Sequence, residues 1–197
     1  GVRAVWLDAS SSLTYFTGVS LGLSERLHGA LIPSEGPIRY VTPVFEEPKL
    51  RTLLRLPGDV LGWEEDEAPG PMVAALAAAL PAPGDSLALD PATPFAFANA
   101  MMGHGIPIVS AASLIAEGRQ IKSAAEIAII QTAMDASFAV QKAVHAGLRR
   151  GIATTEVAAF VDAAHVAQGL KPLFVAVQFG EATAYPHGVP YAQTLND

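Results

Sequence analysis

The segment AYPHGVPYAQTLND, residues 184–197, places His187 between Pro186 and Pro190, with Gly188 beside it. Proline restricts φ and lacks a backbone donor, whereas glycine permits a tight bend, so the segment predicts a rigid turn around one imidazole. Imidazole donates, accepts or moves a proton near neutral pH, and rigid loops beside a sheet often carry functional sites. The residue pattern alone supports a structural role for His187 as well as it supports a chemical one.

A second pattern, GVSLG at residues 18–22, fits the G-x-S-x-G nucleophile elbow of serine hydrolases, with Ser20 as the nucleophile. An elbow of this kind follows several strands, but only 19 residues precede Ser20. We therefore interpret the segment as a turn of small residues, because the motif lacks its structural context.

The remaining candidate ligands have simpler interpretations. Four further histidines have no acidic partner at a metal-ligand spacing, and we expect structural or surface roles for them. The acidic run at residues 64–67 lacks the spaced ligands and the glycine of a calcium loop, so it predicts a solvated loop. The four histidines are His28, His104, His145 and His165.

Composition narrows the class of protein. The chain has 197 residues, 51% of them hydrophobic, a net charge of −7 and no cysteine. The absence of cysteine excludes disulfides, zinc–thiolate sites and cysteine nucleophiles, and fits a cytoplasmic protein. Without a block of basic residues, neither nucleic acid nor an anionic membrane surface is an expected partner. No apolar run approaches the roughly 20 residues of a membrane span.

The first part of the chain alternates short apolar runs with helical patterns, which favours an α/β layer with a mixed or parallel sheet. We place a domain boundary near residue 115, which gives domains at 1–115 and 116–197. The predicted strands are 2–8, 28–33, 38–42, 59–63, 86–90 and 106–110, and the predicted helices are 45–55, 71–80 and 94–102.

The second part predicts two helices and one strand. Ser123 and Glu126 form a capping-box pattern at the start of the first helix, and Gly147 is a plausible stop for it. Residues 155–168 predict the second helix, and the apolar run 173–179 predicts a buried strand. Because a lone strand cannot form a sheet, we expect this second domain to be incomplete. One face of the first helix carries Ile127, Ile130, Met134 and Phe138.

Four segments together resemble the creatinase, prolidase and aminopeptidase P family of pita-bread metallopeptidases. They are SLTYFTGVS, SERLHGALIP, GRQIKSAAEIAIIQTA and FVAVQFGEATAYPHG, and they follow the family's order along the chain. The resemblance implies a creatinase-type N-terminal α/β domain, followed by the first part of a pita-bread α+β catalytic domain. It also implies a homodimer.

The resemblance further implies a metal-dependent exopeptidase that hydrolyses Xaa-Pro bonds in proline-containing peptides. Such enzymes hold two divalent ions, manganese or cobalt, on two aspartates, a histidine and two glutamates, and a bridging hydroxide attacks the peptide bond. The family's loop histidine, which lies outside the metal cluster, matches His187. By this correspondence, His187 would hydrogen-bond the substrate or the tetrahedral intermediate.

The family's first metal-binding aspartate lies on a strand just beyond the position of Asp197. We therefore expect a fragment of a longer protein, without metal and with little or no catalysis of its own. Two alternatives stay open. One is a metal-free creatinase-like hydrolase that uses the histidine as acid and base. The other is a non-catalytic dimerisation module that pairs through an exposed sheet edge.

Overall fold

The computed structural model describes residues 2–65 and 85–196. The chain divides into two compact units, Gly1–Ile121 and Lys122–Asp197. The boundary expected near residue 115 falls within a helix, Ala112–Gln120, of the first unit. The predicted helix at 71–80 and most of the predicted acidic loop lie outside the described residues.

The first unit is built on a mixed six-stranded sheet. Its strands are β1 (Val2–Asp8), β2 (Gly29–Pro33), β3 (Ile38–Pro43), β4 (Gly58–Trp63), β5 (Ser86–Leu89) and β6 (Ile108–Ser110). They lie in the order β4-β3-β2-β1-β5-β6. The β1–β2 and β2–β3 pairs are antiparallel, whereas the β1–β5, β5–β6 and β3–β4 pairs are parallel. All six predicted strands form, with small shifts at their ends, and the predicted α/β class is confirmed.

Helices cover both faces of this sheet. They are α1 (Ser11–Thr17), α2 (Glu47–Leu53), α3 (Phe95–Gly103) and α4 (Ala112–Gln120), with a 3₁₀ turn at Val44–Glu46. Trp6 of β1 belongs to one apolar cluster, which includes Met101 of α3. Its neighbour Leu7 belongs to the other, which includes Leu13 of α1 and Ile115 of α4. Successive strand residues point to opposite faces, so a strand buried on both sides is a continuous apolar run rather than an alternating one.

The second unit begins with two helices in contact, α5 (Ala124–Gly147) and α6 (Thr154–Ala167). The predicted capping box is confirmed, because Ser123 Oγ accepts from the Glu126 amide at 3.3 Å. Glu126 Oε2 in turn accepts from the Ser123 amide at 2.7 Å. Among the residues that the structure describes, no helix combines the length and apolarity needed to cross a membrane.

The buried strand predicted for the second unit does not form. Residues 173–179 form no strand, and the side chains of Leu173 and Phe174 are 90% and 87% exposed. A strand needs a neighbour for its backbone N–H and C=O groups, and no described residue of this unit pairs with the segment. The apolar face of α5 is likewise open, since Ile127, Ile130, Met134 and Phe138 are between 46% and 56% exposed.

Candidate functional site

His187 occupies the third position of a β-turn formed by residues 185–188. The Gly188 amide donates to the Tyr185 carbonyl at 3.0 Å, which closes the turn. Pro186 restricts φ at the second position, and Gly188 at the fourth position has a φ of 80°. A type II turn needs a positive φ at its third position. Among the described residues only glycines have a positive φ, so the turn with His187 at its third position is not of type II. The sequence Tyr-Pro-His-Gly thus forms the kind of turn that its residues favour, and it holds His187 at the surface.

The chain just before the turn is fixed by a short 3₁₀ helix, Gly180–Ala184. Ala182 is buried, at 4% exposed, and its carbonyl accepts from the Tyr185 amide at 3.1 Å. A side chain from further upstream also reaches the turn, since Gln178 Nε2 donates to the Tyr185 carbonyl at 2.8 Å. The Tyr185 carbonyl oxygen therefore accepts two hydrogen bonds, one within the turn and one from Gln178.

The chain after the turn is attached to the start of α6. The Thr154 amide donates to the Gln193 carbonyl at 2.9 Å, and the Gln193 amide donates to Thr154 Oγ1 at 3.1 Å. The Leu195 amide adds a bond to the Ile152 carbonyl at 2.9 Å. Residues 185–192 thus form a loop attached at both ends, with His187 near its middle.

This loop borders a cavity of about 610 Å³ within the second unit. Aliphatic and aromatic side chains share the lining with His187 and with amide and hydroxyl groups, and the described lining residues include no carboxylate. An exposed imidazole beside such a cavity can hydrogen-bond a polar ligand or exchange a proton with it. The lining residues include Thr154, Thr155, Phe174, Gln178, His187 and Gln193.

The described residues do not fit a metal pair. Among residues 2–65 and 85–196, no group of three histidine or carboxylate side chains is placed to hold an ion. The set of two aspartates, one histidine and two glutamates implied by the resemblance therefore has no counterpart in that part of the chain. We therefore derive no chemical step at a bound metal from the side chains in those ranges.

Ser20 lacks the geometry of a nucleophile elbow. An elbow places its serine between a strand and a helix. Ser20 instead follows α1, in a segment without helix or strand that leads to β2. This agrees with the interpretation of residues 18–22 as a turn of small residues.

Three of the other four histidines hydrogen-bond backbone carbonyls, as structural histidines do. His28 Nε2 lies 2.9 Å from the Gly22 oxygen, and His104 Nδ1 lies 2.9 Å from the Ala100 oxygen. His165 Nδ1 lies 2.8 Å from the oxygen of Val161, one turn earlier in α6. His145 is exposed in the last turn of α5. These positions support the structural and surface roles expected for them.

Sequence reasoning missed two buried carboxyl groups in the first unit. Asp8 and Asp90, which end or follow the parallel strands β1 and β5, are 3% and 4% exposed. Asp8 accepts from Trp6 Nε1 at 3.1 Å and from the Ala9 amide at 2.9 Å. Burial raises the pKa of Asp8 above its ordinary value, although these hydrogen bonds oppose the shift. The available signal was an aspartate at the end of one buried strand and another directly after the strand parallel to it.

The first unit places the chain in a known family. The model of the Creatinase/Prolidase N-terminal domain matches residues 1–121, so the chain belongs to this family. An uncharacterised peptidase from Schizosaccharomyces pombe is 27% identical over 98% of the chain and 45% of its own length.

Solved structures extend the similarity to the second unit. Dipeptidase PepE from Mycobacterium ulcerans is 26% identical, with a TM-score of 0.83 over 100% of this chain and 53% of its own. Prolidase from Pyrococcus furiosus has the same fold at 20% identity, with a TM-score of 0.74 over 98% of this chain and 54% of its own. The chain therefore spans about half the length of the relatives that it matches.

Proposed function

We propose that this chain belongs to a peptidase that cleaves Xaa-Pro bonds, and that His187 contacts the substrate during the reaction. The observation that carries the proposal is an exposed imidazole on a fixed turn beside a 610 Å³ cavity. Membership of the creatinase/prolidase family supports the peptidase class. The similarity to a dipeptidase and a prolidase supports a short, proline-containing peptide as substrate.

The chemistry of an imidazole suits this role. As a peptide bond is attacked, its carbonyl oxygen gains negative charge. A fixed N–H donor therefore stabilises the charged transition state more than it stabilises the uncharged substrate. A histidine on a fixed turn loses little conformational freedom when it makes this contact. We therefore assign His187 as a hydrogen-bond donor to the substrate carbonyl or to the tetrahedral intermediate.

Several properties implied by the resemblance stay predictions. They are the pair of manganese or cobalt ions, the homodimer, the cytoplasmic location and the inactivity of residues 1–197 by themselves. Metal analysis of purified protein and sedimentation at micromolar concentration test the first two. Hydrolysis of an Xaa-Pro dipeptide by residues 1–197 alone would contradict the last.

The deciding experiment compares His187→Ala with His145→Ala in the intact gene product. His145 is the control because it is also exposed and lies in the same unit, but does not line the cavity. Loss of one transition-state donor lowers kcat by about 10²- to 10³-fold. We expect this loss for His187→Ala, with unchanged metal content, and normal turnover for His145→Ala.

Two results would contradict the assignment. Full turnover by His187→Ala would remove the histidine from the reaction. Loss of bound metal in that variant, measured by elemental analysis, would make His187 a metal ligand instead of a substrate contact.

A further inference from the structure

The segment upstream of the histidine turn contributes a side chain that bonds directly to it. Gln178 is partly buried and lies in the unpaired segment 173–179. Its Nε2 donates to the Tyr185 carbonyl at 2.8 Å. The same carbonyl accepts the Gly188 amide at 3.0 Å. Gln178 therefore binds the acceptor atom that closes the turn around His187.

The last residue of the turn lies beside the same side chain. A Cβ atom at Gly188 would lie 3.4 Å from Gln178 Nε2, which is an ordinary van der Waals distance. The φ of +80° at Gly188 is therefore what favours glycine at this position. Gln178 bonds to the first residue of the four-residue turn and lies beside the last, and both Gln178 and His187 line the 610 Å³ cavity.

Gln178 is also held in place through the residue after it. The amide of that residue, Phe179, donates to Gln193 Oε1 at 3.4 Å. The backbone of Gln193 makes two hydrogen bonds with Thr154, one with its amide and one with its side-chain hydroxyl, and Thr154 is 6% exposed. A chain of contacts thus runs from the start of α6 through Gln193 to the segment that carries Gln178.

We propose that Gln178 is a positioning residue that fixes the orientation of His187 through the Tyr185 carbonyl. The inference rests on the proposed function of His187, and it adds the residue that holds the turn on which the imidazole is carried. Without the Gln178 bond, the turn is closed by one backbone hydrogen bond and opens more often. An imidazole on a looser turn spends less time in the orientation needed to donate to a substrate oxygen.

The test measures opening of the turn itself. Gln178→Met removes the donor while keeping a side chain of similar length. Gln168→Met is the matched control, because Gln168 Nε2 also donates to a backbone carbonyl, that of Ala164, at 3.1 Å. Gln168 lies at the end of α6 and does not line the cavity.

Three histidine–glycine pairs in the sequence make the signal specific. Labelling histidine with ¹³C at its carbonyl and glycine with ¹⁵N selects the amides of Gly29, Gly105 and Gly188. The Gly105 amide is bonded to the Met102 carbonyl at 2.9 Å, and Gly29 lies in β2. Both belong to the first unit and serve as internal controls for intact folding of that unit.

We expect Gln178→Met to speed hydrogen exchange at Gly188 by a factor of about two to ten, the value of one net hydrogen bond. Exchange at Gly29 and Gly105 stays unchanged, as does exchange at all three sites in Gln168→Met. In the intact enzyme, kcat for an Xaa-Pro dipeptide falls and KM changes little.

Unchanged exchange at Gly188 in Gln178→Met would overturn the positioning role and leave the proposed function standing. Faster exchange with unaltered kcat would also overturn it, because the turn would then loosen without consequence for the reaction. The proposed function itself fails only with His187→Ala, so the two failures are separable.

Discussion

Ser10 Oγ donates a hydrogen bond of 2.5 Å to Asp90 Oδ2, across 80 residues of sequence. The same oxygen caps α1, since it accepts from the amides of Ser12 at 3.1 Å and Leu13 at 3.4 Å. The Ser10 hydroxyl therefore donates to a buried carboxylate and accepts from the first amides of a helix at the same time. It joins the end of β5 to the helix that follows β1.

Ser10→Ala should destabilise the first unit by about 1–3 kcal/mol. The variant loses a helix N-cap and leaves a buried carboxyl without one of its donors. Urea unfolding followed by tryptophan fluorescence measures this, because Trp6 and Trp63 both lie in the first unit. Ser34→Ala, at an exposed serine after β2, is the control and should stay within about 0.5 kcal/mol of the parent. Equal stability of the two variants would contradict the prediction.

The buried carboxyl of Asp8 should make stability depend on pH. Burial raises the pKa of Asp8 in the folded protein above the ordinary value of 3.8. The hydrogen bonds from Trp6 and Ala9 and the charge of His28 oppose this rise, whereas the charge of Asp90 adds to it. At pH values between the ordinary pKa of the unfolded state and the raised pKa of the folded state, the folded state binds more protons than the unfolded state. The free energy of unfolding therefore falls as pH rises through the folded-state pKa.

Asp8→Asn removes this titration, so the free-energy difference between parent and variant should change with pH in that window. As pH rises, the parent loses stability relative to the variant. Asp59→Asn, at an exposed carboxyl on β4, provides the control. Unfolding curves across acidic and neutral pH measure both. A parent-to-variant difference that is constant with pH for Asp8→Asn would show that this carboxyl does not control the effect.

Thr154→Val should loosen the attachment of the histidine loop to α6. Valine keeps the shape of threonine but cannot accept the bond from the Gln193 amide, which Thr154 Oγ1 accepts at 3.1 Å. Loss of such a bond speeds local opening by about tenfold. Hydrogen exchange of peptides covering residues 189–196 measures it. Thr155→Val, at the exposed neighbour, should exchange as the parent does, and similar acceleration in both variants would count against the Thr154 contact.

Several elements of both units could be predicted because their sequence signals are local. Residues 2–8 and 86–89 are apolar runs bounded by turn residues, and such runs favour strands wherever they pack. The capping box at Ser123 needs residues only three positions apart. The Pro-His-Gly order likewise specifies a tight turn around His187 without help from distant residues.

The strand predicted at residues 173–179 failed for the opposite reason. Its apolar residues, such as Leu173 and Phe174, satisfy the local preference for a strand. A strand also needs a second strand to pair with, and the described part of this unit provides none for that segment. Apolar composition therefore predicted burial where tertiary structure leaves the side chains exposed.

The sequence by itself determined the α/β alternation, the capped helix of the second unit and the turn that presents His187. Each of these depends on residues within a few positions of one another. Only the tertiary structure brought Asp90 to Ser10 and Gln193 to Thr154, because hydrogen bonds between distant segments depend on how the whole chain closes. It likewise placed Gln178 on the Tyr185 carbonyl, since the direction of a side chain in an irregular segment follows from its contacts rather than from periodicity.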